Sequence, residues 1–278
     1  MQAKNNRVFV IGMDGAGNFI KDTETPNIHA ICRNGVLTYD AQTAFPSISA
    51  QCWGALHHSV DPQRHGLDND IVSDRSRKFP EDSPYPSFLK LIRQAYPESK
   101  LAAFSEWWPI NHGIIEASAE VHQVSLPDDE LAVAAAAYIR ENPDVKAMFI
   151  EFSNPDYAGH KHAYGTDSKP YLECITETDR LVGIVLDAIQ EAGLLEGSLI
   201  IFTTDHGGGG AHTNGHGSDD PRDMTIFWGC VGQGIAPGAA LKEPVRIIDT
   251  APVIAYALGL TPPREWEGRV PAGLFENQ

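Results

Sequence analysis

Long apolar runs are missing from this 278-residue chain. The longest are of strand length, far short of the roughly 20 residues that a membrane helix needs, so neither a spanning segment nor a membrane partner is expected. Cysteine is scarce. Cys32, Cys52, Cys174 and Cys230 are scattered with no C-x-x-C pair. This pattern argues against a thiolate zinc cluster or a disulfide frame and for reduced, packed thiols of a cytosolic protein. Basic residues are few, 21 Lys and Arg against 37 Asp and Glu, for a net charge of −16. A nucleic-acid duplex would be repelled, and a small-molecule substrate is favoured. Residues Met1 to Arg7 carry no signal-peptide core, so a cytoplasmic location is expected if the chain is complete. Low-complexity tracts, internal repeats and linkers are also lacking, and one domain over residues 1–278 is expected. Composition says nothing of oligomeric state.

What is present is an alternation of short apolar strands with amphipathic helices. The organising stretch is Leu199 to Thr203, a β-branched apolar run that ends in Thr204-Asp205-His206 and four glycines. A strand that delivers a carboxylate and an imidazole to its carboxyl end places them where open α/β sheets build their sites. Arg7 to Met13 is a first strand with Asp14 at its end. Gly12, Gly15 and Gly17 miss the G-x-G-x-x-G spacing, which argues against a dinucleotide fold. Thr25-Pro26-Asn27 opens a helix through Arg33, and a strand follows at Val36 to Asp40. Ser49 begins a helix, where a hydroxyl serves as an N-cap or as a nucleophile at the positive end of the dipole. Asp61 to Gly66 reads as a turn, and Leu67 to Pro84 as a polar surface loop. Pro86 to Ala95 is a helix, Leu101 to Phe104 a strand, and Glu106-Trp107-Trp108 an aromatic loop. A helix over Asp128 to Glu141 and a strand over Val145 to Phe152 lead to Asn154–His160. Ser168 to Ala192 is a long helix, Met224 to Cys230 a strand, and Ile247 to Leu258 the last helix. The alternation implies α/β architecture, a layered and largely parallel central sheet with helices on both faces.

Asp14, Ser49, Asp156, His160, Asp205, His206 and His216 all fall at the ends of expected strands or the starts of helices. Three aspartates on one sheet edge repel one another without counter-charge, and two divalent cations would bring the cluster near neutrality. Mixed Asp/His ligation favours zinc, with manganese the alternative, over calcium or magnesium. Metals roughly 4 Å apart clamp the attacking and leaving oxygens of a phosphoryl displacement, and coordination activates a serine without a neighbouring base.

With these motifs in order, the chain resembles the alkaline phosphatase superfamily, in its type I phosphodiesterase/nucleotide pyrophosphatase branch. The resemblance rests on Gly12-Met13-Asp14-Gly15, Thr25-Pro26-Asn27, the segment Pro46 to Gly66, D-x-x-G-H at Asp156 to His160, Thr204-Asp205-His206-Gly207, Gly215-His216-Gly217 and Ile248-Asp249-Thr250-Ala251-Pro252. It implies an alkaline-phosphatase-like three-layer sandwich with reduced cap insertions. It also implies that Asp14, Asp205, His206 and the Ser49 oxygen hold one ion, and Asp156, His160 and His216 the other. Ser49 would attack phosphorus and carry the phosphoryl group. It is preferred to Ser47 by its distance before Pro62 and His65-Gly66, and His216 is preferred to His212 by its Gly-His-Gly setting. Asn69 is the nearest candidate for the asparagine that donates to the phosphoryl group, though one residue early. The family often has Thr as nucleophile followed by Phe-Pro-Asn, where this chain has Ser49-Ala50-Gln51-Cys52.

A phosphoester or nucleotide substrate is therefore expected. A diester fits better than a monoester, because the only basic residues near the motifs are Arg64 and Lys161, neither in a motif position. Trp107 and Trp108 offer a stacking face or belong to the core. A phosphomonoesterase or phosphonate hydrolase of the same superfamily is the alternative, and a non-catalytic metal-binding protein the alternative from another class. A sulfatase would need C-x-P-x-R around its nucleophile, and a phosphoglycerate mutase an Asn-Ser-Glu segment and a large second domain.

Overall fold

A computed structural model describes residues 5–275. Its sheet has seven strands in the order β2-β7-β6-β1-β5-β3-β4: β1 (Arg7–Met13), β2 (Val36–Gln42), β3 (Lys100–Ser105), β4 (His122–Val124), β5 (Val145–Phe152), β6 (Ser198–Thr203) and β7 (Thr225–Val231). The helices are α1 (Pro26–Cys32), α2 (Ser49–His58), α3 (Pro62–His65), α4 (Asn69–Ser73), α5 (Phe88–Ala95), α6 (Asp128–Glu141), α7 (Asn154–His162), α8 (Lys169–Glu191), α9 (Pro221–Met224) and α10 (Thr250–Ala257).

Strand β1 is buried on both faces, as suits the centre of a parallel sheet. Its side chains alternate between two cores. Val8 and Val10 join Trp53, Phe88 and Phe149 on one side, and Phe9 and Ile11 join Tyr171, Val182 and Phe202 on the other. The result is three layers, helix–sheet–helix. All pairings are parallel except those of β7, which runs antiparallel to β6 and β2. The chain leaves β6 and re-enters the sheet at the same edge, with no crossover helix long enough to span it, so β7 must run back.

Some segments differ from their sequence patterns. Asp61 to Gly66 contains the one-turn helix α3, started by Pro62 and stopped by Gly66 at φ 69°. The stretch from Leu67 to Pro84 carries α4 and buries Leu67, Val72 and Phe79. Residues Asn154–His162 are helical, with Pro155 in the first turn where its missing N–H costs nothing. Strand β4 is a short, mostly exposed edge strand with no apolar alternation to announce it. Among the described residues no helix is long and apolar enough to cross a membrane.

Candidate metal centre and active site

The strand order explains why residues far apart in sequence meet. Strands β6, β1 and β5 are adjacent and parallel, so their carboxyl ends lie side by side, about 4.8 Å apart per strand. Gly12 pairs with Thr203, and Asp14 and Asp205 each follow two residues later. Met13 pairs with Phe152, and Asp156 follows on the first turn of α7. That turn is held by a carboxylate from elsewhere: Asp128, at the start of α6, accepts the backbone N–H groups of Ser153 (3.0 Å) and Asn154 (2.9 Å). Gly15 turns the chain at φ 67°, and a Cβ there would lie 2.7 Å from Asp156 Oδ1, so only glycine lets β1 exit so close to this carboxylate.

Asp14, Asp205 and His206 form one group whose ligand atoms lie within 4.8 Å of one another, and Asp156, His206 and His216 form a second. His206 Nε2 is 3.5 Å from Asp14 Oδ1 and 3.2 Å from Asp205 Oδ2. Both of those oxygens are buried without a hydrogen-bond partner. Their sister oxygens are engaged: Trp53 Nε1 donates to Asp14 Oδ2 at 3.1 Å, and Gly15 and His206 donate N–H groups to Asp205 Oδ1. An orphaned carboxylate oxygen in the interior is costly, and here two point at one imidazole nitrogen. Ser49 Oγ, at the first residue of α2, lies 3.2 Å from the same Nε2. Asp156 Oδ2 is 3.3 Å from His160 Nε2, and its Oδ1 is 3.8 Å from His216 Nε2.

The three histidines share one arrangement. Each turns Nδ1 to a backbone carbonyl, His160 to Asn214 (2.9 Å), His206 to Gly207 (2.8 Å) and His216 to Ser47 (2.7 Å). A carbonyl only accepts, so Nδ1 carries a hydrogen. Protonated His160 donates its Nε2–H to Asp156 Oδ2, whereas in the neutral ring the Nε2 lone pair is left to face the carboxylates. This is the tautomer and orientation that metal-binding histidines require. The rings of His206 and His216 stack, with centroids 3.7 Å apart.

The electrostatics agree with a cation-dependent cluster. Burial, and then the neighbouring carboxylates, push Asp14 and Asp205 well above the usual carboxylate range. Burial holds His206 down to about 3, neutral and able to ligate. Burial opposes ionisation of Asp156, yet the hydrogen bond from His160 and the nearby histidines bring it down to about 2, while the same bond raises His160 to about 9. The donor set of aspartate oxygens and imidazole nitrogens fits divalent zinc or manganese.

The other sequence candidates are placed as follows. Asn69 lies at the start of α4 in the cleft beside Ser49. His212 is exposed and outside both groups, whereas His216 is within one. His160 is half exposed, belongs to neither group, and among the carboxylates meets Asp156. Ser47 is fully buried, bonded to Ser218 and Gly217. Trp107 lines the cleft, but Trp108 lies under the Arg75 guanidinium at 4.2 Å. Arg64 pairs with Glu267 at 3.0 Å, away from the cleft, and Lys161 is exposed and does not line it. The cleft is about 190 Å³, and no Lys or Arg lines it among the described residues. Missing from the sequence reading were Trp53, Asp128, Tyr157 and Tyr164. Trp53 and Tyr157 lie inside the quoted Pro46 to Gly66 and Asp156 to His160 segments and Tyr164 shortly after the second, but nothing local marks these side chains or that of Asp128 as facing the cluster.

Murine ectonucleotide pyrophosphatase / phosphodiesterase 5 has the same fold. That structure superposes with a TM-score of 0.73 at 16% identity, over 92% of this chain and 95% of its own. The family model for type I phosphodiesterase / nucleotide pyrophosphatase matches residues 92–225 of the chain. Human ectonucleotide pyrophosphatase/phosphodiesterase family member 7 is 23% identical over 228 residues, 74% of this chain and 48% of that protein. A 2,3-bisphosphoglycerate-independent phosphoglycerate mutase of Roseobacter denitrificans is 30% identical over a shorter 156 residues, 53% of this chain and 27% of the mutase. The chain spans about half the length of the ectonucleotide pyrophosphatase/phosphodiesterase 7 relatives it matches.

Proposed function

We propose that the protein is a metal-dependent hydrolase of phosphoric ester or phosphoanhydride bonds, of the phosphodiesterase/nucleotide pyrophosphatase type, with Ser49 as nucleophile. The observation that carries this reading is the convergence of Ser49 Oγ, Asp14 Oδ1 and Asp205 Oδ2 on Nε2 of His206, with both carboxylate oxygens otherwise unpaired. Asp14, Asp205, His206 and Ser49 would hold one divalent ion, and Asp156, His160 and His216 the second. When bound, such ions supply positive charge that lowers the pKa of a hydroxyl and offsets the charge of the phosphoryl oxygens.

The chain's own residues do the rest. Ser49 Oγ forms a bond to phosphorus as the bond to the leaving oxygen breaks, giving a phosphoseryl enzyme that water then cleaves. The start of α2 places that oxygen at the positive end of the helix. Asn69 offers its amide NH2 to a non-bridging oxygen. Trp107 and Tyr157 line the cleft mouth and give an aryl or nucleobase substituent a flat apolar contact. A monoester carries up to two charges and wants a dedicated cation. A diester carries one, and a cleft lined by no Lys or Arg suits it better.

The test is a screen of the zinc- or manganese-reconstituted protein against aryl phosphodiester, monoester, phosphonate and sulfate esters. The expected result is a kcat/KM for the diester above that for the matching monoester. A clear monoester preference between about pH 7 and 9 would move the protein to the phosphatase side of the superfamily. Single-turnover labelling of Ser49 separates either from a non-catalytic metal-binding protein.

A further inference from the structure

Tyr164 has no place in the mechanism above, yet it touches every member of the Asp156–His160–His216 set. Its hydroxyl donates to Asp156 Oδ1 at 2.5 Å, with the Asp156 carbonyl a longer 3.3 Å away. Its ring stands edge-on to His160 (centroids 5.6 Å, 80°) and lies 6.2 Å from His216 at 75°. The socket leaves no room for another position. A Cβ at Gly159 would come within 2.2 Å of the ring, and one at Gly208 within 2.5 Å. Tyr171 packs against the far side at 5.4 Å, and its own hydroxyl donates to the Gly15 carbonyl at 2.6 Å.

The backbone is also committed to this placement. Ala163, which precedes the tyrosine, sits at φ 73°, ψ 150°, a region that strains a residue with a Cβ. Tyr164 N–H donates to the Thr213 carbonyl at 2.9 Å, tying the turn to the loop that carries His216. Strain is retained at a position whose one evident product is the direction of the phenol.

A carboxylate held only by two imidazoles can rotate about Cβ–Cγ and exchange its oxygens. The phenol removes that freedom. It takes one lone pair of Oδ1 and leaves Oδ2 toward His160. We propose that Tyr164 is the positioning residue of the Asp156–His160–His216 half-site, fixing the Asp156 carboxylate in the one orientation in which that half-site captures its divalent ion. The inference rests on the metal-dependent reading above.

The experiment is a competition titration of Zn2+ binding to the full chain, wild type against Tyr164→Phe, which keeps the ring in its socket and removes only the hydroxyl. Partners that orient a ligand typically account for about 10–100-fold in metal affinity. The expected result is a loss of that size in one of the two binding constants, with the other within about 2-fold. Equal loss at both sites, or none at either, overturns the inference and leaves the metal-dependent reading standing. A wild-type protein that takes up no divalent ion overturns both. Should Tyr164→Phe not fold, 3-fluorotyrosine placed at position 164 preserves the packing. Its fluorine resonance should move as one of the two sites fills and not as the other does, and a resonance that stays put overturns the inference.

Discussion

The backbone N–H of Ala50 donates to Oδ1 of Asn69 at 3.0 Å, across the cleft wall from Ser49. A backbone N–H can only donate, so the facing amide atom must be the oxygen, and the NH2 is left for the cleft. The bond also satisfies one of the unpaired N–H groups at the start of α2. Asn69→Asp should keep this second role and lose the first, because its carboxylate still accepts from Ala50 but presents negative charge to the substrate. The expected outcome is near-native thermal stability with kcat lowered by about 100-fold or more. Asn69→Ala should lose roughly as much activity and some stability as well. Steady-state kinetics beside calorimetry separates the two effects.

Ser49 and Ser47 should behave in opposite ways. Ser49→Ala removes the attacking oxygen and should abolish nearly all turnover while metal content and fold survive. Ser47 Oγ donates to the Ser218 carbonyl at 2.8 Å and accepts from Gly217 N–H at 3.1 Å. Ser47→Ala should therefore cost about 1–2 kcal/mol of stability and leave turnover within a few-fold. A reversed pattern in single-turnover assays would move the nucleophile to Ser47.

Removing metal should lower both activity and stability. Asp14 and Asp205 are buried side by side with an unpaired oxygen each, and a ligand that binds only the folded state stabilises it by mass action. At a free ion concentration a thousand times the dissociation constant, the gain is about 4 kcal/mol per site. Chelation followed by a thermal scan should show a lowered Tm that zinc or manganese restores. Full activity in exhaustively chelated protein would remove the basis of the proposed function.

A separate acid sensitivity comes from the far end of α2. Burial pushes His58 down to about 4 and His65 to about 3, from 6.5 in the unfolded chain. Between those values the unfolded chain binds more protons, so the stability these neutral rings allow is complete above pH 6.5 and is lost as pH falls toward 4. At pH 5 the loss is about 2 kcal/mol for each histidine. His57 lies beside them, fully buried between Phe88 and Phe149 with neither ring nitrogen bonded. His57→Leu removes a burial cost without a lost partner and should raise the midpoint of urea unfolding, most visibly below pH 6. A lower midpoint at every pH would show that this ring contributes more by packing than it costs by desolvation.

That Asp14, Asp156, Asp205, His206 and His216 would come together was legible in the sequence because its signals are local. A β-branched run such as Leu199 to Thr203 declares a strand, and whatever follows it stands at the sheet edge, which is how Asp14 and Asp205-His206 announced themselves. The boundaries of β1, α6 and β5 follow from the local apolar pattern alone. The tertiary structure decided what depends on neighbours distant in the chain. Nothing local tells that β6, β1 and β5 are adjacent, and that adjacency brings three aspartates together. Nor could the sequence reveal that Asn214, Gly207 and Ser47 supply the carbonyls that set three imidazole tautomers, since every residue has a carbonyl and only the fold aims it. Tyr164 and Asp128 escaped notice for the same reason. Residue type and spacing determine which chemistry is possible, whereas the orientation of each donor is set by contacts made across the whole sheet.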